Sequence, residues 1–134
     1  MQQTPGKVLA NIYRGYISTI LAHDLEKISE YVSDHVIHNG KRLDLEGYKA
    51  LLQRNIVETN VKIEIKRLVV DDNHVAALLV FTTTKQTNEL VGISLKEEPF
   101  SYAENVFYDF QDGKIIEVHS LFDIDTVRAH ARIS

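Results

Sequence analysis

The sequence predicts an α+β domain in which a sheet of antiparallel strands curls over three N-terminal helices. Three observations carry this reading. Up to about residue 59 the apolar residues recur at a helical period, and from Val61 onward they alternate. Tight-turn pairs, of which Asp112-Gly113 is the strongest, separate the alternating runs. Helices that precede a run of strands, rather than interleaving with it, point to a segregated α+β architecture.

Thr4-Pro5 reads as an N-cap followed by proline at the first helical position, where its missing N–H costs nothing. Val8, Leu9, Ile12, Tyr13, Tyr16, Ile17, Ile20 and Leu21 then form one stripe, which predicts an amphipathic helix over about 5–22. Asp24 reads as the cap of a shorter second helix burying Leu25, Ile28, Tyr31 and Val32. A short extended piece at His35–His38 closes on the turn pair Asn39-Gly40. Asp44 then caps a third helix to about Thr59, with Leu45, Tyr48, Leu51, Leu52, Ile56 and Val57 as its apolar set.

Val61, Ile63 and Ile65 alternate with charged residues as a half-buried strand, and Asp71-Asp72-Asn73 is a turn. The run from His74 to about Gln86 predicts a long strand rich in β-branched residues. Leu90–Leu95 predicts another, followed by a polar loop ending at Pro99. Phe100–Gln111 and Lys114–Phe122 flank Asp112-Gly113 as a hairpin, and a last short helix is expected from Asp123 to about Ala131.

The 134 residues suit one domain spanning 1–134, with no repeat, linker or low-complexity run. Hydrophobic residues at 44% and charged residues at 25% argue against disorder. The formal charge of -4 gives no support to nucleic-acid binding, which needs a basic surface. Cysteine is absent, which excludes disulfides, thiolate nucleophiles and sulfur-ligated metals. No apolar stretch is long enough to span a bilayer, and Met1–Lys7 lacks the apolar core of a signal peptide, so no membrane partner and cytoplasmic residence are expected. The positive entry is aromatic: six Tyr and five Phe, with no Trp.

Certain segments carry more than composition. Tyr16-Ile17-Ser18-Thr19-Ile20-Leu21-Ala22-His23-Asp24-Leu25-Glu26-Lys27-Ile28 is similar to a helix-borne aromatic followed by a polar break. Glu104–Asp123 resembles the last hairpin of SnoaL-like ester cyclases, and Leu90-Val91-Gly92-Ile93 with Phe100-Ser101 fits the same group. On these segments the chain resembles the nuclear transport factor two-like superfamily, in its SnoaL-like polyketide cyclase and ester cyclase branch. The resemblance covers nearly the whole chain. It implies a cone-shaped, cystatin-like curved antiparallel sheet on three helices. Activity is not implied so directly, because the superfamily hosts unrelated functions.

The resemblance also places residues. The acid/base carboxylate of the cyclases, three residues before an aspartate matched by Asp123, falls here on Ser120, which is no base near neutral pH. Tyr16 matches the helix-borne tyrosine that polarises the ketone in ketosteroid isomerases. The isomerase aspartate falls near His38-Asn39, where His38 could serve as a base.

Strand alternation supplies the rest. If Val106 points inward, Tyr102, Glu104 and Tyr108 share its face, and a glutamate among Tyr and Val would be desolvated and hard to ionise. Val118, Ser120 and Phe122 share the facing set, and His119 then points outward with Phe107. His35 and His38 point to opposite faces, so this HxxH suits a metal poorly, and HExxH is absent. No metal or cofactor is expected, since GxGxxG, P-loop and GxSxG motifs are also absent. Arg128, His130 and Arg132 read as cations at a helix C-terminus.

Two functions are carried forward. The first is a cofactor-free cyclase, isomerase or hydratase acting on a small apolar carbonyl compound. Its acid/base and oxyanion groups would be Glu104, His38 and Tyr16, and its substrate-binding wall Tyr102, Val106, Tyr108, Val118, Ser120 and Phe122. The second is a non-catalytic small-molecule-binding or dimerisation module of the same fold. In both, a homodimer through the outer sheet face is expected, because that face would otherwise expose apolar residues such as Phe107.

Overall fold

A computed structural model describes residues 5–133. The expected N-cap Thr4 lies outside the described residues. Helix α1 (Pro5–Leu21) buries Leu9, Tyr13, Tyr16, Ile17 and Ile20 along one face. It ends in a Schellman-type motif without glycine. Asp24 N donates to Thr19 O at 3.1 Å and His23 N to Ile20 O at 2.9 Å, with His23 at φ 60°.

The second helix is a 3₁₀ turn over Leu25–Glu30, and Asp24 precedes it without a side-chain capping bond. Strand β1 (Val32–His38) follows and folds back on β2 (Lys41–Asp44) through Asn39-Gly40, at φ 49° and 83°. Val32 therefore belongs to a strand, and β2 is an element the sequence did not suggest. Asp44 caps α2 (Leu45–Leu52) by accepting from Gly47 N at 2.7 Å. The expected continuation to residue 59 is helical but not α: Gln53–Val57 is a π-turn, closed by Glu58 N donating to Gln53 O at 2.9 Å.

The main sheet has six strands in the order β2-β1-β8-β7-β4-β3. Strands β3 (Lys62–Asp71), β4 (His74–Thr82), β7 (Ser101–Gln111) and β8 (Lys114–Phe122) are antiparallel, whereas β1 joins β8 in parallel. Two expectations needed correction here. The strand from His74 stops at Thr82, because Thr83 turns inward and its hydroxyl binds the Phe100 backbone. The segment 90–95 is a separate hairpin, β5 (Glu89–Leu90) and β6 (Ile93–Ser94), with Val91-Gly92 as its turn. The last helix, α3 (Ile124–Ala129), is capped by Asp123, which accepts from Thr126 N at 3.2 Å.

Bulges curve the sheet. Lys66 is the extra residue of β3, so inward-facing Ile63 and Ile65 give way to Leu68 and Val70. Ile116 is the extra residue of β8, so inward-facing Ile115 is followed by Val118 and Ser120. Helix α1 lies against β3 and β4, and α2 against β1 and β2. The concave face and the helices thus enclose a cone. Its outer face exposes Phe107, 61% accessible, and Val69, 55% accessible.

Candidate functional site

The hairpin β7–β8 sets the floor of the cone. Its register pairs Glu104 with Phe122, Val106 with Ser120 and Tyr108 with Val118. All six residues share the concave face, while the intervening pair Phe107–His119 lies on the convex one. Tyr102 continues the inward row and stacks on Phe81 of β4, with ring centroids 5.4 Å apart.

These residues line one cavity of about 830 Å³. Tyr16 and Ile20 enter from α1, His38 from β1 and Tyr48 from α2. Leu79 and Phe81 of β4 complete the apolar wall. All nine residues singled out in the sequence, Tyr16, His38, Tyr102, Glu104, Val106, Tyr108, Val118, Ser120 and Phe122, border this space. At the mouth stand Arg54, Asn55 and Glu58, presented by the π-turn, and Val91-Gly92, presented by the small hairpin.

Electrostatics divides the lining into permanent donors and one group poised to titrate. Burial drives the Glu104 carboxyl from 4.5 up to about 7, with a side-chain hydrogen bond from Ser120 pulling the other way. The buried phenols are protonated. Burial pushes Tyr48 up to about 12 and holds Tyr16 and Tyr108 well above the ordinary phenol range. The charge of Glu104 adds to the upward shift of Tyr13, Tyr16, Tyr48 and Tyr102. The His38 imidazole is half-buried, and desolvation lowers its pKa, so it is a neutral group at neutral pH.

The phenols are paired. Tyr16 Oη lies 2.6 Å from Tyr48 Oη, and Tyr13 Oη donates to Tyr108 Oη at 3.2 Å. Among the described residues, no group of three His, Cys, Asp or Glu is placed to hold a metal ion. The arrangement offers one carboxyl near its midpoint at neutral pH, a pair of phenolic donors, a neutral imidazole and an apolar enclosure. Such a set can take a proton from carbon next to a carbonyl and stabilise the oxyanion that results.

Sequence reasoning missed two contributors. Tyr48 was visible only as part of an apolar helical stripe, although a buried phenol needs a hydrogen-bond partner and so signals a polar contact in the core. Asn39 reads as a turn residue near the position of the isomerase aspartate, not as a partner of Ser120. Its side chain instead reaches Ser120, accepting from Ser120 N at 2.8 Å and donating to Ser120 Oγ at 3.3 Å.

Comparison with known proteins agrees with this fold. The family model for the SnoaL-like polyketide cyclases matches residues 10–129. A SnoaL-like polyketide cyclase from Agrobacterium tumefaciens superposes with a TM-score of 0.83 at 28% identity, covering 96% of this chain and 98% of that one. TsrD from Streptomyces laurentii gives 0.81 at 15% identity over 96% and 97% of the two chains. IdmH from Streptomyces antibioticus gives 0.78 at 19% identity over 90% and 96%. The latter two likenesses are of fold alone. No curated protein matches the sequence.

Proposed function

Because the chain belongs to the SnoaL-like polyketide cyclase family, we propose that its cone binds a small, largely apolar carbonyl compound and rearranges it without a cofactor, as a cyclase or isomerase. The observation that carries this reading is Glu104. It is a carboxyl inside an apolar cavity, held at about 7 and surrounded by phenols. Its carboxylate would take the proton from the carbon beside the substrate carbonyl, and the C–H electron pair would move to form the enolate. The Tyr16–Tyr48 pair has one O–H to spare after its internal bond, and that O–H would donate a hydrogen bond to the enolate oxygen while keeping its proton. In a cyclisation the enolate carbon attacks a second carbonyl, and the resulting alkoxide takes a proton back from Glu104. In an isomerisation Glu104 returns the proton to another carbon.

One specific observation favours a second reading. Ser120 stands where the family resemblance expects a carboxylate, so the cone would bind its ligand and perform no chemistry. Glu104 answers this only if it is the base from the neighbouring strand. Exchange of the acidic C–H of an apolar β-keto ester in D2O, followed by NMR, separates the two readings. Protein-dependent exchange that disappears in Glu104→Gln supports catalysis, whereas binding with no exchange above the buffer rate supports the module.

The outer face fits a second copy of the chain. Val69, Ala76 and Phe107 lie side by side across three strands, with His119 next to Phe107, and two copies packed there would cover the exposed apolar side chains. Among the described residues, no helix is long and apolar enough to cross a membrane. The lack of cysteine fits a reducing compartment such as the cytoplasm.

A further inference from the structure

Asn39 is held in a position that its turn alone does not require. It is the first residue of the β1–β2 turn at φ 49°, where asparagine, aspartate or glycine would serve. The parallel ladder between β1 and β8 ends at His38 and Val118, and Asn39 extends it by other means. Its backbone N donates to Val118 O at 2.9 Å. Its carboxamide oxygen accepts from Ser120 N at 2.8 Å, and its carboxamide nitrogen donates to Ser120 Oγ at 3.3 Å. Of the three turn-compatible residues, asparagine is the one with both a donor and an acceptor for these two bonds.

This grip has a consequence for the hydroxyl. With a lone pair of Ser120 Oγ occupied by Asn39, the Ser120 proton points away from the turn. Glu104 lies diagonally across the β7–β8 ladder on the same face, because Val106 pairs with Ser120 and Phe122 with Glu104. A long side chain reaches such a diagonal neighbour. We propose that Asn39 and Ser120 form a relay that aims the Ser120 hydroxyl proton at the Glu104 carboxylate and fixes that carboxylate toward the cavity. Asn39 is then a positioning residue acting through Ser120. The proposal rests on the reading of Glu104 as the base. It also gives the serine a use: a second carboxylate at this diagonal would repel Glu104, whereas a hydroxyl steadies it.

The other titratable groups facing Glu104 are Tyr13 and Tyr16 from α1, Tyr48 from α2, Tyr102 beside it on β7 and His38 from β1. Arg54, Glu58 and Glu89 stand at the cavity mouth. Substitution at Asn39 or Ser120 removes none of these groups.

The test is a carbon-detected NMR titration of the Glu104 carboxyl in the whole chain without ligand, with amide spectra reporting the fold. Ser120→Ala and Asn39→Gly are each expected to raise the midpoint by about one pH unit, the effect of one ordinary hydrogen bond to the ionised form. The double variant should titrate like Ser120→Ala alone, because Asn39 acts only through Ser120. A Glu104 midpoint that Ser120→Ala leaves in place overturns the relay. So does an Asn39→Gly shift that persists in the Ser120→Ala background. If Asn39→Gly does not fold, a Ser120→Ala midpoint equal to that of wild type still overturns the relay. Failure of the base reading looks different: wild-type Glu104 would titrate near its ordinary 4.5, or turnover would survive Glu104→Gln.

Discussion

The phenol oxygens of Tyr16 and Tyr48 lie 2.6 Å apart, so two helices meet through one hydrogen bond in the wall of the cavity. One proton is used between them, and the second phenol is polarised by accepting or donating that bond. Removing either hydroxyl leaves the other able to donate unaided. Tyr16→Phe and Tyr48→Phe are therefore each expected to lower kcat about tenfold, and the double variant on the order of 100-fold. Steady-state kinetics on variants with native circular dichroism would check this. A double variant no worse than one of the single variants would mean that only the phenol removed in that single variant reaches the substrate.

Glu104 links catalysis to stability with opposite signs. The carboxyl ionises near 4.5 in the unfolded chain and near 7 in the folded one, so the folded state holds its proton to higher pH. Stability is then lost as pH rises from 4.5 to about 7, by about 3 kcal/mol at most. Glu104→Gln should abolish proton transfer yet be more stable than wild type at pH 8, with the two converging below pH 4.5. Urea unfolding at several pH values measures the gap. Wild-type kcat/KM should rise through about pH 7 as the carboxylate forms. A gap that does not change with pH would show that Glu104 ionises normally.

Much of the site was legible because a hairpin with a tight turn fixes its own register. Asp112-Gly113 anchors β7 and β8, and alternation then gives Tyr102, Glu104, Val106 and Tyr108 one face. The bulge at Ile116 was not legible, yet it lies on the turn side of Val118, Ser120 and Phe122 and leaves their shared face intact. Strand β2 escaped notice because Lys41-Arg42-Leu43-Asp44 has a single apolar residue, as an exposed edge strand does. The contributions of Tyr48 and Asn39 depend on how α2 and the β1–β2 hairpin dock. Those contacts span 32 and 81 positions, beyond any local pattern.

The convex face yields a prediction about assembly. Phe107 is 61% accessible and sits centrally among Val69, Ala76 and His119, where a partner copy would bury it. Phe107→Glu would place a charge at the centre of that contact, and leaving it unpaired there costs several kcal/mol. Light scattering at micromolar concentration should find a wild-type dimer and a folded monomeric variant. A wild-type monomer would remove the interface, and a dimeric variant would move it elsewhere on the molecule.

Val91 raises the last question, since it is β-branched and occupies left-handed backbone at φ 44°. Asn39, Asp72 and Asp112 fill the corresponding first position of the other tight turns, at φ 49°, 55° and 51°. Both residue types tolerate this region far better than valine, whose strain is about 1–2 kcal/mol. Val91 borders the cavity mouth, and an apolar side chain held in a strained turn there suits contact with an apolar ligand. Val91→Asn should therefore raise the urea midpoint while weakening binding of an apolar β-keto ester several-fold. If the variant is stabilised and binds equally well, the valine has no role at the mouth. If it is destabilised, the methyl groups pack against the fold more than the backbone strains it.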